Sequence, residues 1–478
     1  MECETMNSET LKQFISIVGD RHALVEAAEI APYTTDMRGR YNAPSPLVLR
    51  PGTVEEVSQI VKLACETNTA IIPQGGNTGL VGAGLPLADR ALDEVIISMG
   101  RMNRILDVDP ATNTMTVESG AILQSIQQSA DEVDRLFPLS LGAQGSCQIG
   151  GNIGSNAGGT AVLAYGNTRD LVMGLEVVLP TGEVWNGLSR LRKDNTGYDL
   201  KNLLVGAEGT LGIVTKAVLK LFPKPRGREV AYAAVPSPGA ALELFNMAKN
   251  AAGNALTAFE MMAGIAMEFT LKHAKNEIRR PIQDKYPWYV LIEISSSRSH
   301  DEARQAMEHV LQTAFEAEIV QDATIADSLE QQRLFWTLRE DMSGSQKPEG
   351  ASIKHDISVP VGSIPDFIEV ADQAVLDIVP DARIVNFGHM GDGNLHYNIS
   401  QPPGWSAEDF FAYESDVHAA VYRVVLSFAG SISAEHGIGQ MKRDELAKLK
   451  DPTALNMMRS IKTALDPHQI MNPGKVIG

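Results

Sequence analysis

Apolar positions along the chain change period several times, and each change marks an element. After Pro51-Gly52, the Thr53-x-x-Glu56 pattern is a capping box, and Val54, Val57, Val61 and Ala64 recur at helical spacing. A helix is expected there. A short β-run, Ala70-Ile71-Ile72, leads straight into Pro73-Gln74-Gly75-Gly76-Asn77-Thr78-Gly79-Leu80. Further strand-like runs fall at Glu94–Met99, Ile105–Val108, Met115–Glu118 and Ile213–Leu221. The stretch Phe222-Pro223-Lys224-Pro225-Arg226-Gly227 breaks both periods and is the best domain boundary. Beyond it, helices at about 240–252, 300–316, 325–340 and 363–376 alternate with strands at about 288–296, 352–359, 382–389 and 395–400. From about residue 408 the pattern is mainly helical, interrupted at 431–440. The expected class is α+β, in three parts. These are a glycine-rich domain over 1–222, an α+β domain with an antiparallel sheet over 228–407, and a mainly helical segment over 408–478 that completes the site.

Composition narrows the picture little. Of 478 residues, 44% are hydrophobic and 21% charged, the profile of an ordinary globular protein. The net charge of −18 argues against nucleic acid or an anionic membrane as the main partner. Cys3, Cys65 and Cys147 are widely spaced, which excludes a disulfide framework and a thiolate metal site. Cys65 and Cys147 are expected as small buried residues. The N terminus is acidic without an apolar core, and no run of about 18 apolar residues occurs. A cytosolic protein is expected, at most peripheral to a membrane through a partner.

Three stretches concentrate glycine. The first follows the 70–72 run, the second is Gly150-Gly151-Asn152-Ile153-Gly154-Ser155-Asn156-Ala157-Gly158-Gly159, and the third is Gly206–Gly212. Successive N–H groups in such loops form anion-binding nests. Neither of the two long loops is a G-x-G-x-x-G opening a helix or a G-K-[ST] loop, so a dinucleotide fold of the Rossmann type and a P-loop are both unsupported. An extended diphosphate ligand suits the set.

Chemistry concentrates near the C terminus. In Gly388-His389-Met390-Gly391-Asp392-Gly393-Asn394-Leu395-His396, a two-residue turn at Asp392-Gly393 pairs 391 with 394, 390 with 395, and 389 with 396. His389 and His396 then face each other directly and suit one metal ion. Glu435 offers a third ligand, leaving an open position, and His436 beside it is a spare base. A single histidine on an apolar strand is more often a satisfied core residue. Register, turn and the Glu-His pair together favour ligands. Arg339 and Ser343 sit four apart at the end of a helical run, on one face, and Lys354 follows on a strand. Arginine and lysine suit carboxylates, though such residues are commonly solvated surface charges.

These segments carry a resemblance. The 73–79 loop is similar to the pyrophosphate loop of flavoproteins of the vanillyl-alcohol oxidase/p-cresol methylhydroxylase type, and Pro138-Leu139 to Gly159 and Gly206–Gly212 resemble further parts of that two-subdomain FAD domain. Gly388–Asn398, Ser433–Gly439 and Asn472-Pro473-Gly474-Lys475 resemble the FAD-linked D-2-hydroxyacid dehydrogenases, over about residues 10–478. The resemblance implies FAD, held through Pro73, Gln74, Gly75, Gly76, Asn77, Thr78, Gly79, Leu80, Pro138, Leu139, Gly142, Gly150, Gly151, Gly154, Ser155, Asn156, Gly158, Gly159, Glu208, Gly209, Gly212, Ile213, Val214 and Asn472. Asn77 stands where the fold type often carries a covalent histidine, so the flavin is expected to be noncovalent. It further implies zinc, or another divalent metal, on His389, His396 and Glu435. Arg339, Ser343, Lys354, Asn398 and His436 then bind a D-2-hydroxyacid, D-2-hydroxyglutarate before D-lactate, D-malate or glycolate, with His436 as base. Ser343 replaces the family's threonine. Expected partners are an electron-transfer flavoprotein or a quinone-linked chain and, as a base rate, a second copy. A non-catalytic electron-relay subunit is the alternative of another class.

Overall fold

The helix opened by Thr53 shows how local chemistry sets the first unit. Glu56 N–H donates to Thr53 Oγ1 at 3.2 Å, and the Glu56 carboxylate accepts from Gly52 N–H at 2.6 Å, one residue before the usual box partner. The helix spans Val54–Thr67 and stops where Asn68 turns left-handed. Val57, Ile60, Val61 and Ala64 are fully buried against Ile71, Val95 and Ile97. Fully burying a side chain of valine or isoleucine size is worth about 1.5–3 kcal/mol.

The structure is a computed structural model that describes residues 6–88, 93–274 and 278–477; Cys3 lies outside them. Cys147 is buried and Cys65 partly so. Two compact units form. The first comprises residues 1–159, 166–223 and 435–478, the second 160–165 and 224–434. The change of unit at Pro223/Lys224 falls inside the Phe222–Gly227 break. The stretch from 408 does not stay together. Helices Ala407–Phe411 and Glu414–Ser427 belong to the second unit, whereas Arg443–Leu449 and Pro452–Leu465 belong to the first.

The first unit holds two larger sheets, besides the two-stranded pairing of Phe222–Pro223 with Arg135–Leu136. One has strands Ala23–Leu24, Val48–Leu49, Glu94–Ser98 and Ala70–Gln74 in that order, parallel except at the short 23–24 edge. The other is antiparallel, in the order 105–109, 114–118, 213–220, 172–178, 184–187.

The second unit is built on a seven-stranded antiparallel sheet in the order 322–325, 227–235, 288–296, 256–263, 383–389, 394–400, 352–358. Helices Pro238–Ala252, His300–Glu316, Ile364–Leu376 and Glu414–Ser427 cover one face. Gly264–His273 and Leu329–Glu340 pack on the other. Strands 227–235 and 256–263 escape the period-2 reading because both faces are buried, which leaves no alternation to detect.

The His389 hairpin differs from the expected register. The observed pairs are His389 with Asn394, Gly388 with Leu395, and Phe387 with His396. Met390–Asp392 form a 3-10 turn closed by Gly393 at φ +87°, so the connection has four residues rather than two. The slip is two residues. A slip of one would have sent the histidines to opposite faces, but two preserves the face. His389 and His396 become diagonal neighbours, with ring centroids 5.6 Å apart.

Candidate active site

The glycine stretches of the first unit line a cleft of about 1170 Å3, counting the space open to solvent at its mouth. Pro73 to Gly79, Gly150, Gly151, Gly154, Ser155, Glu208, Gly209, Gly212, Ile213 and Val214 line it. Leu80, Pro138, Leu139, Gly142, Asn156, Gly158, Gly159 and Asn472 are not among its lining residues. His436 is. The second glycine stretch is not a loop throughout: Ile149–Ser155 is a short helix, ended by Asn156 at φ +50°. Gly150 is needed there because a Cβ would stand 2.8 Å from Ser119 Cβ.

Asn77 has a structural task. It is left-handed at φ +51°, and its amide donates to Pro32 O at 3.1 Å and Thr35 O at 2.9 Å. Gln74 Nε2 similarly donates to Tyr33 O and Gly84 O. Asn472 ties the C-terminal segment to this region by donating to Ala83 O at 3.0 Å and Glu208 O at 2.7 Å. The Glu208 carboxylate accepts from Ile438 N–H at 2.7 Å and Gly439 N–H at 2.8 Å, which fixes the segment that carries His436. Burial pushes the Glu208 carboxyl up, opposed by those two bonds. Glu435 Oε1 accepts from Gly159 N–H at 2.7 Å.

Ser119 Oγ, Gln148 Oε1 and Asn152 Oδ1 are buried at the cleft and lack a hydrogen-bond partner among the described residues. Native interiors seldom leave such atoms orphaned, so the cleft fits a polar, extended ligand. Of the three, only Asn152 falls in a stretch that the sequence marked, and none was expected to face the ligand.

In the second unit, register brings a row of polar side chains onto one sheet face. Glu260 pairs with His389, His389 with Asn394, Asp356 with His396, and Lys354 with Asn398. The ligand nitrogens of His389 and His396 lie within 4.8 Å of each other. His389 Nδ1 is 2.7 Å from Glu260 Oε1. Arg339 Nε–H donates to Glu260 Oε2 at 2.8 Å, and its guanidinium lies 4.9 Å above the Phe387 ring. Burial opposes ionisation of Glu260, but its contacts with His389 and Arg339 outweigh it and hold the carboxyl well below its usual range. Arg339 is therefore a buried, paired cation, not a solvated one. Its helix ends at Glu340, so Ser343 lies in the following turn and not on the same helical face. Lys354 Nζ nonetheless donates to Ser343 O at 3.2 Å and lies 3.4 Å from Ser343 Oγ. Asn398 is buried beside them. Asn394 Nδ2 donates to Asp356 Oδ1 at 3.0 Å.

Glu260 and Asp356 were not anticipated. The signal for Glu260 was available: it is the one carboxylate in the run Leu256-Thr257-Ala258-Phe259-Glu260-Met261-Met262-Ala263.

Two imidazoles and a carboxylate are a donor set for a divalent transition metal. The His389 geometry fits one, because a ring that gives its Nδ1 hydrogen to a carboxylate keeps Nε2 as a ligand atom.

The cleft and the two-sheet unit define a flavin-binding protein. Residues 45–187 match the FAD binding domain family, and residues 224–476 match the C-terminal domain of FAD linked oxidases. A solved p-cresol methylhydroxylase with substrate bound shares the fold, with a TM-score of 0.75 at 17% identity over 98% of this chain and 96% of that one. D-2-hydroxyglutarate dehydrogenase of Arabidopsis thaliana, named as mitochondrial, is 37% identical over 99% of this chain and 82% of its own length. The Danio rerio protein of the same name is 40% identical over 91% and 78%. A putative mitochondrial D-lactate dehydrogenase of Schizosaccharomyces pombe is 34% identical over 99% and 90%. The chain belongs to the FAD-linked D-2-hydroxyacid dehydrogenase family. It is an FAD-dependent dehydrogenase of a small hydroxyacid.

Proposed function

We propose that the protein oxidises D-2-hydroxyglutarate to 2-oxoglutarate. Lys354, Ser343 and Asn398, gathered on the sheet face of His389 and His396, carry this reading. Asn398 is two residues along the strand from His396, roughly 6.8 Å away. That spacing suits an acid with a hydroxyl at one end and a second carboxylate at the other. Arg339 keeps donors beyond those turned to Glu260 and completes the carboxylate-binding set.

When bound, FAD would supply a two-electron acceptor for the hydride of the substrate carbon, and a divalent metal, zinc in our reading, would supply Lewis acidity toward the hydroxyl. His389, His396 and Glu435 are the proposed metal ligands. His436 takes the hydroxyl proton, a role supported by its position in the lining of the cofactor cleft. Ser431 pairs with Ser358, and Ala434 N–H reaches Asp356 O at 3.3 Å. Glu435 and His436 are the next two residues of the chain.

The Schizosaccharomyces pombe relative favours a second reading, D-lactate or glycolate as substrate. Anaerobic flavin bleaching with D-2-hydroxyglutarate, D-malate, D-lactate and glycolate separates the two. Fastest bleaching by D-lactate or glycolate overturns the dicarboxylate assignment, and no bleaching by any of them favours a relay subunit. An electron-transfer flavoprotein or quinone-linked acceptor, a homodimer and a cytosolic location complete the proposal. Among the described residues no helix is long and apolar enough to cross a membrane.

A further inference from the structure

Glu260 has one oxygen on His389 and the other on Arg339, at 2.7 and 2.8 Å. It is 1% exposed, so the two contacts are made away from water. Glu260 lies on the central 256–263 strand directly opposite His389. A carboxylate can only accept, and a neutral imidazole has a single N–H. The hydrogen of His389 is therefore on Nδ1, and the lone pair is on Nε2. Arg339 fills the second oxygen and keeps the carboxylate from turning.

We infer that Glu260 is a positioning residue of the metal centre, setting the tautomer of His389 through one oxygen and the orientation of Arg339 through the other. The inference rests on the proposed metal site. One buried carboxylate would then align the group that receives the substrate hydroxyl with a group that receives a carboxylate.

Glu260→Gln tests this with little change in volume. Arg339 demands an acceptor, so the amide oxygen turns to it and the amide NH2 faces His389. Nδ1 must then accept, the hydrogen moves to Nε2, and the ligand lone pair is lost. The measurement is Zn2+ affinity of the full-length flavoprotein by competition with a chromophoric chelator. Removing such an outer partner of a ligating histidine typically weakens binding 10- to 100-fold. Glu260→Gln is expected to do so with FAD content unchanged, while His396→Ala abolishes binding. Wild-type affinity in Glu260→Gln alongside loss in His396→Ala overturns the role of Glu260 and leaves the metal site standing. No Zn2+ binding by the wild type, or unaltered binding by His396→Ala, removes both. Should Glu260→Gln fold poorly, nitrogen-15 NMR of the metal-free wild type decides: a His389 hydrogen on Nδ1 supports the inference, and one on Nε2 overturns it.

Discussion

Gly76→Ala is the sharpest test of how the cofactor cleft is shaped. A Cβ at Gly76 would lie 2.2 Å from Ser146 O and 3.1 Å from Cys147 Cα. Side-chain carbons essentially never come within 3.0 Å, so the two backbones must part by about 0.8 Å. The Ser146 side is poorly placed to yield. Ser146 and Cys147 N–H both bond Ala143 O, and Cys147 O accepts from Leu123 N–H. The 74–79 loop must move instead. Overpacking of this kind costs about 1–3 kcal/mol. If that cost falls on the bound form, FAD affinity drops roughly 5- to 150-fold, at about 1.4 kcal/mol per factor of ten. Gly362→Ala is the control, because nothing lies within 4 Å of its Cβ and Gly362 does not line the cleft. The assay is reconstitution of apoprotein with FAD, followed by flavin fluorescence and by the melting temperature with and without FAD. Gly76→Ala that binds FAD as tightly as Gly362→Ala and melts with it would refute close backbone packing as the source of the loop's shape.

Three further outcomes are expected. Burial pushes Asp372 up to about 6, against an ordinary 3.8, while Tyr397 O–H donates to it at 2.7 Å. Between about pH 4 and 6 the folded state binds more protons than the unfolded, so this group lowers stability as pH rises, by up to about 3 kcal/mol. Asp372→Asn should flatten that fall in melting temperature, and an unchanged slope refutes the assignment. Lys354→Met should raise KM for D-2-hydroxyglutarate at least tenfold, in keeping with about 1.5–3 kcal/mol for a charged hydrogen bond, and change that for D-lactate far less; equal effects on both would remove Lys354 as the contact to the second carboxylate. His436→Asn should slow anaerobic flavin reduction about 10²- to 10⁴-fold with FAD still bound, and near-normal reduction at neutral pH would remove it as base.

Much of this molecule was readable in the chain where one physical rule dominates locally. Strand Trp288–Ser296 and helix His300–Glu316 fall on their expected bounds, because both carry a clear period. The two histidines were assigned to one face through a wrong register, and the face survived only because the slip was even. The hairpin signal Asp392-Gly393 is genuine, but the 3-10 turn begins two residues earlier, at Met390. Strands 227–235 and 256–263 left no alternation, and with the second of them Glu260 was missed. Asn77 was noted for replacing a histidine. Its hydrogen bonds to Pro32 and Thr35 join residues more than 40 positions apart, a contact no local pattern encodes. Ser119, Gln148 and Asn152 belong to the same class. Each is an ordinary polar residue until the fold brings the end of strand Thr114–Glu118 and the helix Ile149–Ser155 together at the cleft.

Charge supplies an argument for the proposed metal that does not depend on ligand spacing. Within the second unit the polar face carries two formal anions, Glu260 and Asp356, and two formal cations, Arg339 and Lys354. The row is neutral when both imidazoles are neutral. A dicarboxylate brings two negative charges onto it, and burying unpaired charge is expensive. Arg339 cannot offset them alone, since its charge is already engaged by Glu260. On the proposed ligand set, a divalent cation on His389, His396 and the anionic Glu435 would add one net positive charge, which offsets one of the two carboxylates. The other is left to Lys354 and Asn398. The metal is then tied to the carboxylate that all these substrates share, and Lys354 to the second. Loss of the metal should weaken binding of D-2-hydroxyglutarate and D-lactate alike, and a much larger loss for D-2-hydroxyglutarate would show that the metal also serves the second carboxylate.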